Sequence, residues 1–440
     1  MQAGILEKLQ HHLSEPRGRA VVVILVLLAS LVLRIILFRM QGYGCDLGLF
    51  GAWYNSAAEN GLPAFYDKTG FCDYPPFNIY LFWIFGNLSH AIGEGSLPFL
   101  IKLPANLFDI ATAYLIFRFL RQKFSFKVSL AVMALYAFNP ATIYDLAVWG
   151  QMDSIYTFFM VASLYSALRS KYELSGGLLA LSILTKPQGV ILLPVLAYLI
   201  LRNGGWQRAL SSATAFGAIV FLVILPFNWD NPIAFLVDRY AGYDLYKYTS
   251  CNAYNTWALF GLWKSDIVSH LGLTYQQWGI IAFFPFLAFV MWQLHRKYEP
   301  RSVIFAVFLI MFGFFMLMTR MHERYLFPVL ALLALGWYTR FTLWIYIGLT
   351  ATYLAMLIFV LSYLKRWAYI LGRWSIDVLS PENISVDVLA PANIILFALS
   401  IWCFYRMQRS KPAEDIIEPP PHGPPVPERN EEQGTVRNGM

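Results

Sequence analysis

Long apolar runs separated by short basic loops constrain the fold of this chain more than any other feature. A run of roughly 20 apolar residues is long enough to cross a bilayer as a helix. The sequence is 58% hydrophobic and only 13% charged, which is too apolar for a soluble domain of 440 residues. We therefore predict an all-α polytopic membrane protein with about 11–13 transmembrane helices.

The net charge of +7 fits the positive-inside bias of membrane proteins, because the basic residues lie in short loops between the apolar runs. Membrane lipids are therefore expected partners and nucleic acid is not. The four cysteines form neither a CxxC pair nor a metal-binding spacing, so haem, zinc and redox-motif functions have no support.

The same bias orients the chain. Lys8, Arg17 and Arg19 precede the first apolar run, so the N-terminal segment 1–19 is expected in the cytoplasm. The transmembrane domain covers 20–406, and the Pro- and Glu-rich tail 407–440 is predicted to be disordered in the cytoplasm. The apolar runs interpreted as spans or half-spans are 20–38, 101–117, 128–138, 154–168, 176–184, 190–201, 209–226, 278–294, 302–318, 326–338, 341–364 and 394–405.

Two large loops, 41–103 and 227–275, are predicted on the outer side. The apolar run Phe77–Phe85 in the first loop is too short to span, and charge placement allows only one span between Asp73 and the basic loop at Arg118. The sequence therefore predicts a juxtamembrane helix that lies along the interface.

Five clusters of polar residues fall at the outer end of the predicted spans, opposite the basic loops. Charged residues near a bilayer are costly and usually functional, so five clusters on one face predict a single active site. The clusters are Gly44–Asp46, Cys72–Pro76, Trp149–Asp153, Lys186–Gly189 and His322–Arg324.

The acidic and amide side chains of these clusters have structural as well as catalytic interpretations. Asp46 suits either a solvated helix cap or a general base, and Asp73 suits an N-cap ahead of two prolines. Gln151 and Asp153 suit either a hydrated turn or a site that holds sugar hydroxyls above a stacked Trp149.

The cations also have two interpretations. Lys186 either snorkels to the interface or binds an anion, and Arg324 either anchors at lipid headgroups or binds a phosphate, with His322 and Glu323 beside it. Taken together, the clusters indicate displacement of an anionic, lipid-bound leaving group. A carboxylate would act as general base while the cations receive the phosphate.

In their order along the chain, these motifs resemble those of the GT-C superfamily of glycosyltransferases, which use polyprenyl-phosphate sugars. They look most like the dolichyl-phosphate-glucose-dependent α-1,3-glucosyltransferases and their prokaryotic relatives. Cys45-Asp46 takes the place of the family's Gly-Asp, and Asp73–Pro76 matches its Asp-Tyr-Pro-Pro. Gln151 follows an Asn-Pro, Lys186–Gln188 replaces a Lys-Gln, and His322–Arg324 keeps a His-Glu-Lys with arginine for lysine.

The resemblance implies a GT-C-like fold and an inverting transfer of a hexose, glucose or mannose, from a polyprenyl-phosphate sugar to a glycan or lipid-linked acceptor. It gives Asp46 the role of catalytic base. No cofactor is expected, and a divalent metal is not favoured. The residues expected to bind substrate are Asp73, Tyr74, Trp149, Gln151, Asp153, Lys186, Gln188, His322, Glu323 and Arg324.

The active site is expected on the extracytoplasmic or ER-luminal face, in the plasma membrane if the chain is prokaryotic. Two other functions stay open at this point: a multi-span transporter or lipid flippase, and a non-catalytic membrane subunit with the same fold. Cys45 and Cys72 either form a disulfide or remain two free thiols.

Overall fold

In the described residues the chain folds into a bundle of helices with four two-residue strands. The computed structural model describes residues 15–241, 246–336, 340–371 and 384–409. Within these ranges, eight helices are long and apolar enough to cross a membrane. The predicted fold class, an all-α polytopic membrane protein, is confirmed. Residues 1–14 of the predicted N-terminal segment and 410–440 of the predicted tail lie outside the described residues.

The α-helices of the described residues are numbered in chain order. They are α1 Pro16–Leu37, α2 Gly44–Lys68, α3 Pro76–Ile92, α4 Leu97–Leu120, α5 Phe126–Ala137, α6 Pro140–Ile143, α7 Asp153–Leu168, α8 Tyr172–Thr185, α9 Leu193–Ile224, α10 Pro232–Ala241, α11 Tyr275–Arg296, α12 Pro300–Leu317, α13 Phe327–Leu335, α14 Arg340–Leu371 and α15 Ile384–Arg409. Tyr144–Trp149 is a π-helical turn, and 3-10 turns occupy Glu94–Ser96, Pro187–Leu192, Leu225–Phe227, Thr256–Phe260 and Glu323–Leu326.

Every apolar run that the sequence predicts as a span or half-span falls mainly on helix where the structure describes it, and the last two residues of the run 326–338 lie outside the described residues. The longest candidate span, Pro187–Phe227, has 41 residues and contains two of the predicted runs. It changes direction at Gly205, whose φ of 74° lies in the left-handed region that glycine adopts without strain. The bend lies between Arg202 and Arg208, where the basic residues predicted a loop. The shorter helices α7, α8 and α13 account for the predicted segments that are not among the eight.

The core of the bundle is formed around α12. In its apolar window 78% of the residues are buried inside the protein, against 17% for α1. An apolar helix that is buried all round belongs at the centre, whereas an exposed apolar helix in a membrane protein faces lipid. α1 is therefore peripheral.

A buried ion pair attaches α1 to the bundle. Arg34 is fully buried, and its Nη1 lies 2.8 Å from Oδ2 of Asp109 on α4. Its Nη2 donates to the Ala137 carbonyl at the end of α5 at 2.8 Å, and the Tyr136 hydroxyl donates to the other oxygen of Asp109 at 2.6 Å. Since an unpaired charge in an apolar interior is very costly, these contacts fix α1 against α4 and α5.

The first outer loop is filled by α2 and α3, and the run Phe77–Phe85 lies wholly within α3. Aromatic side chains pack the two helices together: the rings of Trp53 and Phe82 stack with centroids 6.0 Å apart, and Tyr54 approaches Phe82 at 4.9 Å. The helical character of this loop is as predicted. Its position along the interface stays a prediction.

The second outer loop docks onto the end of α12. Its strand β1, Ser250–Cys251, pairs in parallel with β4, Met321–His322, while β2, Ser269–His270, and β3, Leu273–Thr274, form a hairpin. Asn255 Nδ2 donates to the Phe315 carbonyl at 2.9 Å, and Trp257 Nε1 donates to the Leu317 carbonyl at 2.7 Å. This loop therefore holds the backbone of the His322 segment in place.

Cysteine labelling tests the predicted orientation. Gly95 lies exposed in the turn between α3 and α4, so a Gly95→Cys variant should react with a membrane-impermeant maleimide from the non-cytoplasmic side. Lys123→Cys, in the basic loop between α4 and α5, should react only after permeabilisation. Both variants carry serine in place of Cys45 and Cys72. Labelling of Gly95→Cys from the cytoplasmic side alone would contradict the orientation.

Candidate active site

Asp46 lies in the first turn of α2, half-buried, where the chain has just left α1. Its Oδ2 accepts two hydrogen bonds, from Trp149 Nε1 at 2.9 Å and from Gln151 Nε2 at 2.7 Å. Among the described residues no side chain or backbone group donates to Oδ1. The carboxylate is therefore held by one oxygen and presents the other.

The donors to Asp46 come from the break between α5 and α7. The π-turn Tyr144–Trp149 ends at Gly150, whose φ is 95°, and π-turns are frequent at functional sites. Trp149 is only 1% exposed, and its ring nitrogen is committed to Asp46. Stacking of its ring beneath a sugar stays a prediction, and its contact with Asp46 is this hydrogen bond.

Asp153 and Lys186 form a buried ion pair. Lys186 Nζ lies 2.6 Å from Asp153 Oδ1, and Arg324 Nε lies 4.0 Å from Oδ2 of the same carboxylate. Lys186 also lies over the ring of Tyr325 at 5.2 Å. Asp153, the first residue of α7, lies between two cations that come from distant parts of the chain, and its binding of a sugar stays a prediction.

The His322–Arg324 motif joins this pair. Glu323 Oε1 lies 3.1 Å from Arg324 Nη1, and the Arg324 side chain keeps 19% of its surface exposed while Glu323 keeps 2%. Burial and the neighbouring cations Arg324 and Lys186 hold the pKa of His322 well below its ordinary value. Its surroundings therefore disfavour the charged form of the imidazole.

Asp73 connects the acidic and cationic parts of the site. Burial raises the pKa of its carboxyl, Arg324 and Lys186 oppose this rise, and the charge of Asp46 adds to it, so these groups are close enough for their charges to interact. The N-cap interpretation of Asp73 is wrong: the residue at the N-cap of α3 is Pro75, and no side chain caps that helix. The N-cap of α3 therefore lies two residues after Asp73, at Pro75.

Tyr74 is part of the packing beside the site. It is 9% exposed, and its ring lies 5.7 Å from Phe50 and 5.4 Å from Trp53, with its carbonyl accepting from the Tyr66 hydroxyl at 2.8 Å. The five clusters predicted to lie on one face are thus brought together, through Asp46, Asp73, the turn after Trp149, Lys186 and Arg324.

Several buried polar atoms of the site have no hydrogen-bond partner among the described residues. They are Asp145 Oδ1 and Oδ2, Asp153 Oδ2, Tyr156 Oη, Gln188 Oε1, His322 Nε2, Glu323 Oε2, Arg324 Nε and Tyr353 Oη. Buried polar groups are normally paired. A concentration of unpaired acceptors and donors in one place is what a polar ligand with many hydroxyls would satisfy.

Sequence reasoning missed Asp145. It is fully buried in the π-turn, and the charges of Asp153, Lys186, Arg324 and Glu323 act on it. The signal was present, because a carboxylate inside the apolar stretch 140–149 is a functional candidate by default.

Neither cysteines nor acidic clusters form a further centre among the residues that the structure describes. All four cysteines are free thiols, so Cys45 and Cys72 are not bridged. No group of three or more His, Cys, Asp or Glu side chains in the described ranges has the geometry to hold a metal ion.

Comparison with family models matches residues 71–319 to glycosyltransferase family 87, more than half of the chain. The chain belongs to this family. A search of curated proteins finds no match. Family 87 membership makes the protein a glycosyltransferase, with a sugar donor and a glycan acceptor as its general partners, and the eight apolar helices of its described residues are those of a multi-pass membrane protein. It does not select the dolichyl-phosphate-glucose branch. The match contains Asp73, Trp149, Asp153 and Lys186, begins after Asp46 and ends before His322.

The buried pair can be tested by its stability. Asp153→Asn leaves Lys186 without a full counter-charge and should lower the free energy of unfolding by about 3–5 kcal/mol, as for other broken buried pairs. Lys186→Met should restore part of that loss in the double variant, because contacting residues are not additive. Thermal unfolding in detergent measures both.

The exposed pair Arg208–Glu173, 2.9 Å apart with more than two-fifths of each side chain exposed, is the matched control. Arg208→Met and Glu173→Gln should each change the free energy of unfolding little, because water and salt screen an exposed ion pair. Strictly additive losses at Asp153 and Lys186 would show that the two side chains do not act as a pair.

Proposed function

We propose that the protein is an inverting hexosyltransferase that uses a polyprenyl-phosphate sugar. It moves glucose or mannose to a glycan or lipid-linked acceptor on the non-cytoplasmic face. The observation that carries the proposal is the half-buried Asp46 carboxylate, oriented by Trp149 and Gln151 with Oδ1 open, in the same site as Arg324 and Lys186. Family 87 membership supports the transferase class.

The reaction that this arrangement suits is a single displacement. The acceptor hydroxyl oxygen attacks the anomeric carbon while Asp46 Oδ1 takes the hydroxyl proton. The bond from the anomeric carbon to the phosphate oxygen breaks, and its electron pair stays on the polyprenyl phosphate. One attack from the face opposite the leaving group inverts the anomeric configuration.

The cations Arg324 and Lys186 are placed to receive the leaving phosphate. Arg324 is the more exposed of the two, and a guanidinium binds phosphate oxygens bidentately. Burial raises the pKa of Glu323 as well as that of Asp73, against the opposing effect of Arg324. Both carboxyls therefore interact with Arg324, the cation proposed to bind the leaving phosphate.

The unpaired acceptors supply a sugar site. Asp145, Gln188 Oε1 and Glu323 Oε2 lack donors, and a pyranose brings several hydroxyl donors at once. A buried acceptor left without a donor costs about 1–3 kcal/mol, so filling these positions contributes to donor binding.

The alternative functions fare less well. A transporter or flippase would not account for membership of a glycosyltransferase family, and a non-catalytic subunit has no need of the two-donor contact to Asp46. The decisive assay supplies the purified full chain in detergent with polyprenyl-phosphate glucose, mannose and other monosaccharides, and measures release of polyprenyl phosphate. No turnover with any donor, in the presence of glycan and lipid-linked acceptors, would overturn the proposal. NMR of the product bond reports inversion.

Asp46→Asn tests the base. The amide keeps an oxygen to accept from Trp149 and Gln151 but cannot take a proton, so kcat should fall about a hundred- to ten-thousand-fold. Donor binding should remain, as measured by calorimetry. Asp230→Asn, at an exposed carboxylate of the second outer loop, is the matched control and should keep native kcat. A near-native kcat for Asp46→Asn would place the base elsewhere.

Arg324→Ala tests the phosphate site. Loss of a hydrogen bond to a charged group is worth about 1.5–3 kcal/mol, so the kcat/KM for donor should fall about ten- to a hundred-fold. The KM for acceptor should change little. Arg324→Lys keeps the charge and should recover part of the loss, while Lys68→Ala, at an exposed cation of the first outer loop, serves as control. Unchanged donor kinetics in Arg324→Ala would remove Arg324 from the site.

A further inference from the structure

A buried lysine outside the substrate contacts joins the two segments that build the Asp46 site. Lys102, in the second turn of α4, is 2% exposed. The three N–H donors of its ammonium lie within hydrogen-bond distance of four backbone carbonyl oxygens, those of Met40 at 2.8 Å, Phe38 at 3.2 Å, Ala147 at 2.9 Å and Val148 at 3.1 Å, so at least one N–H is shared between two of them. No carboxylate lies within ion-pair distance of it among the described residues.

The carbonyls belong to two helix ends. Phe38 and Met40 follow α1 and lead to Asp46, whereas Ala147 and Val148 are in the last turn of the π-helix and lead to Trp149 and Gln151. The last carbonyls of a helix have no partner within it and carry the negative end of its dipole. One ammonium group therefore neutralises both ends and draws them to a common point.

The backbones at this point are too close for side chains. A Cβ on Gly42 would lie 2.1 Å from the Trp149 carbonyl oxygen, so the segment after α1 rests directly on the residue that donates to Asp46. A Cβ on Gly150 would lie 2.8 Å from Leu47 Cδ2 and 3.5 Å from Lys102 Cε. The lysine stem thus fills the space beneath the turn.

We infer that Lys102 is a positioning residue that sets the alignment of the Asp46 carboxylate with its two donors. The inference rests on the proposed role of Asp46 as base. Without the ammonium, four buried carbonyls lose their donor and the two helix ends separate, which moves Asp46 relative to Trp149 and Gln151. Misplacement by about 1 Å can lower a rate about a hundred-fold.

Lys102→Met tests this, because methionine keeps most of the stem and removes the ammonium. We expect kcat to fall about ten- to a hundred-fold, with the donor KM unchanged because the cations Lys186 and Arg324 are untouched. In the Asp46→Asn background the same substitution should have little further effect on kcat, since residues that act as a unit are not additive. Thr112→Val, a buried isosteric change on α4 whose hydroxyl bonds only the Phe108 carbonyl, should leave kcat native.

Gly42→Ala should push the segment after α1 away from the Trp149 carbonyl without removing a charge. It tests the inference if Lys102→Met does not fold. It should also lower kcat at constant donor KM and add little to Asp46→Asn. Native kcat in a folded Lys102→Met or Gly42→Ala variant would overturn the inference, as would an effect as large in the Asp46→Asn background as in the native chain. A high kcat in Asp46→Asn itself would instead remove the proposed base, whatever the result at Lys102.

Discussion

The site depends on how the bundle satisfies backbone carbonyls where its helices end. In a bilayer, a broken helix is tolerated only where other groups take up the freed polar atoms. Here the chain breaks after α1 and again between α5 and α7. The Lys102 ammonium donates to backbone carbonyls at both breaks. The breaks supply Asp46 on one side and Trp149 and Gln151 on the other. The residues of the proposed catalytic site thus lie where the regular helices are interrupted.

The same requirement governs the buried charges. Arg34 is paired with Asp109 at 2.8 Å, Lys186 with Asp153 at 2.6 Å, and Arg320 with Asp266 at 2.6 Å. These pairs join elements that are distant in sequence, as expected when a lone buried charge is prohibitive. Against this background the unpaired Asp145 carboxylate stands out. Within the proposed function, hydroxyl groups of the substrate would supply the donors that both oxygens of this buried side chain lack among the described residues.

The helices were predictable because an apolar run of sufficient length specifies one locally, and loop charges specify its direction. The predicted outer clusters also converge, since they follow from that alternation. The sequence could not predict which buried polar groups contact each other. Arg34 pairs with Asp109, 75 residues away, and Lys102 donates to carbonyls up to 64 residues away. Backbone acceptors leave no mark in a sequence, so the function of Lys102 is visible only in three dimensions. At Asp73 a local rule gave a wrong prediction. Asp73 suits an N-cap by residue type, but Pro75 occupies the N-cap of α3.

In the proposed reaction, the base Asp46 and the cations Lys186 and Arg324 share one site because each has its own hydrogen-bond or ion-pair partners. A cation bound directly to Asp46 would compete with the acceptor proton for the same oxygen. Instead, Asp46 is held by two neutral donors, an indole N–H and an amide, while Lys186 and Arg324 are held by Asp153 and Glu323. Neutral donors orient a carboxylate without adding a full positive charge beside it, and the counter-ions keep the cations turned toward their own part of the site. Within the proposed reaction, this keeps proton acceptance at Asp46 apart from stabilisation of the departing phosphate, so that one compact site serves both.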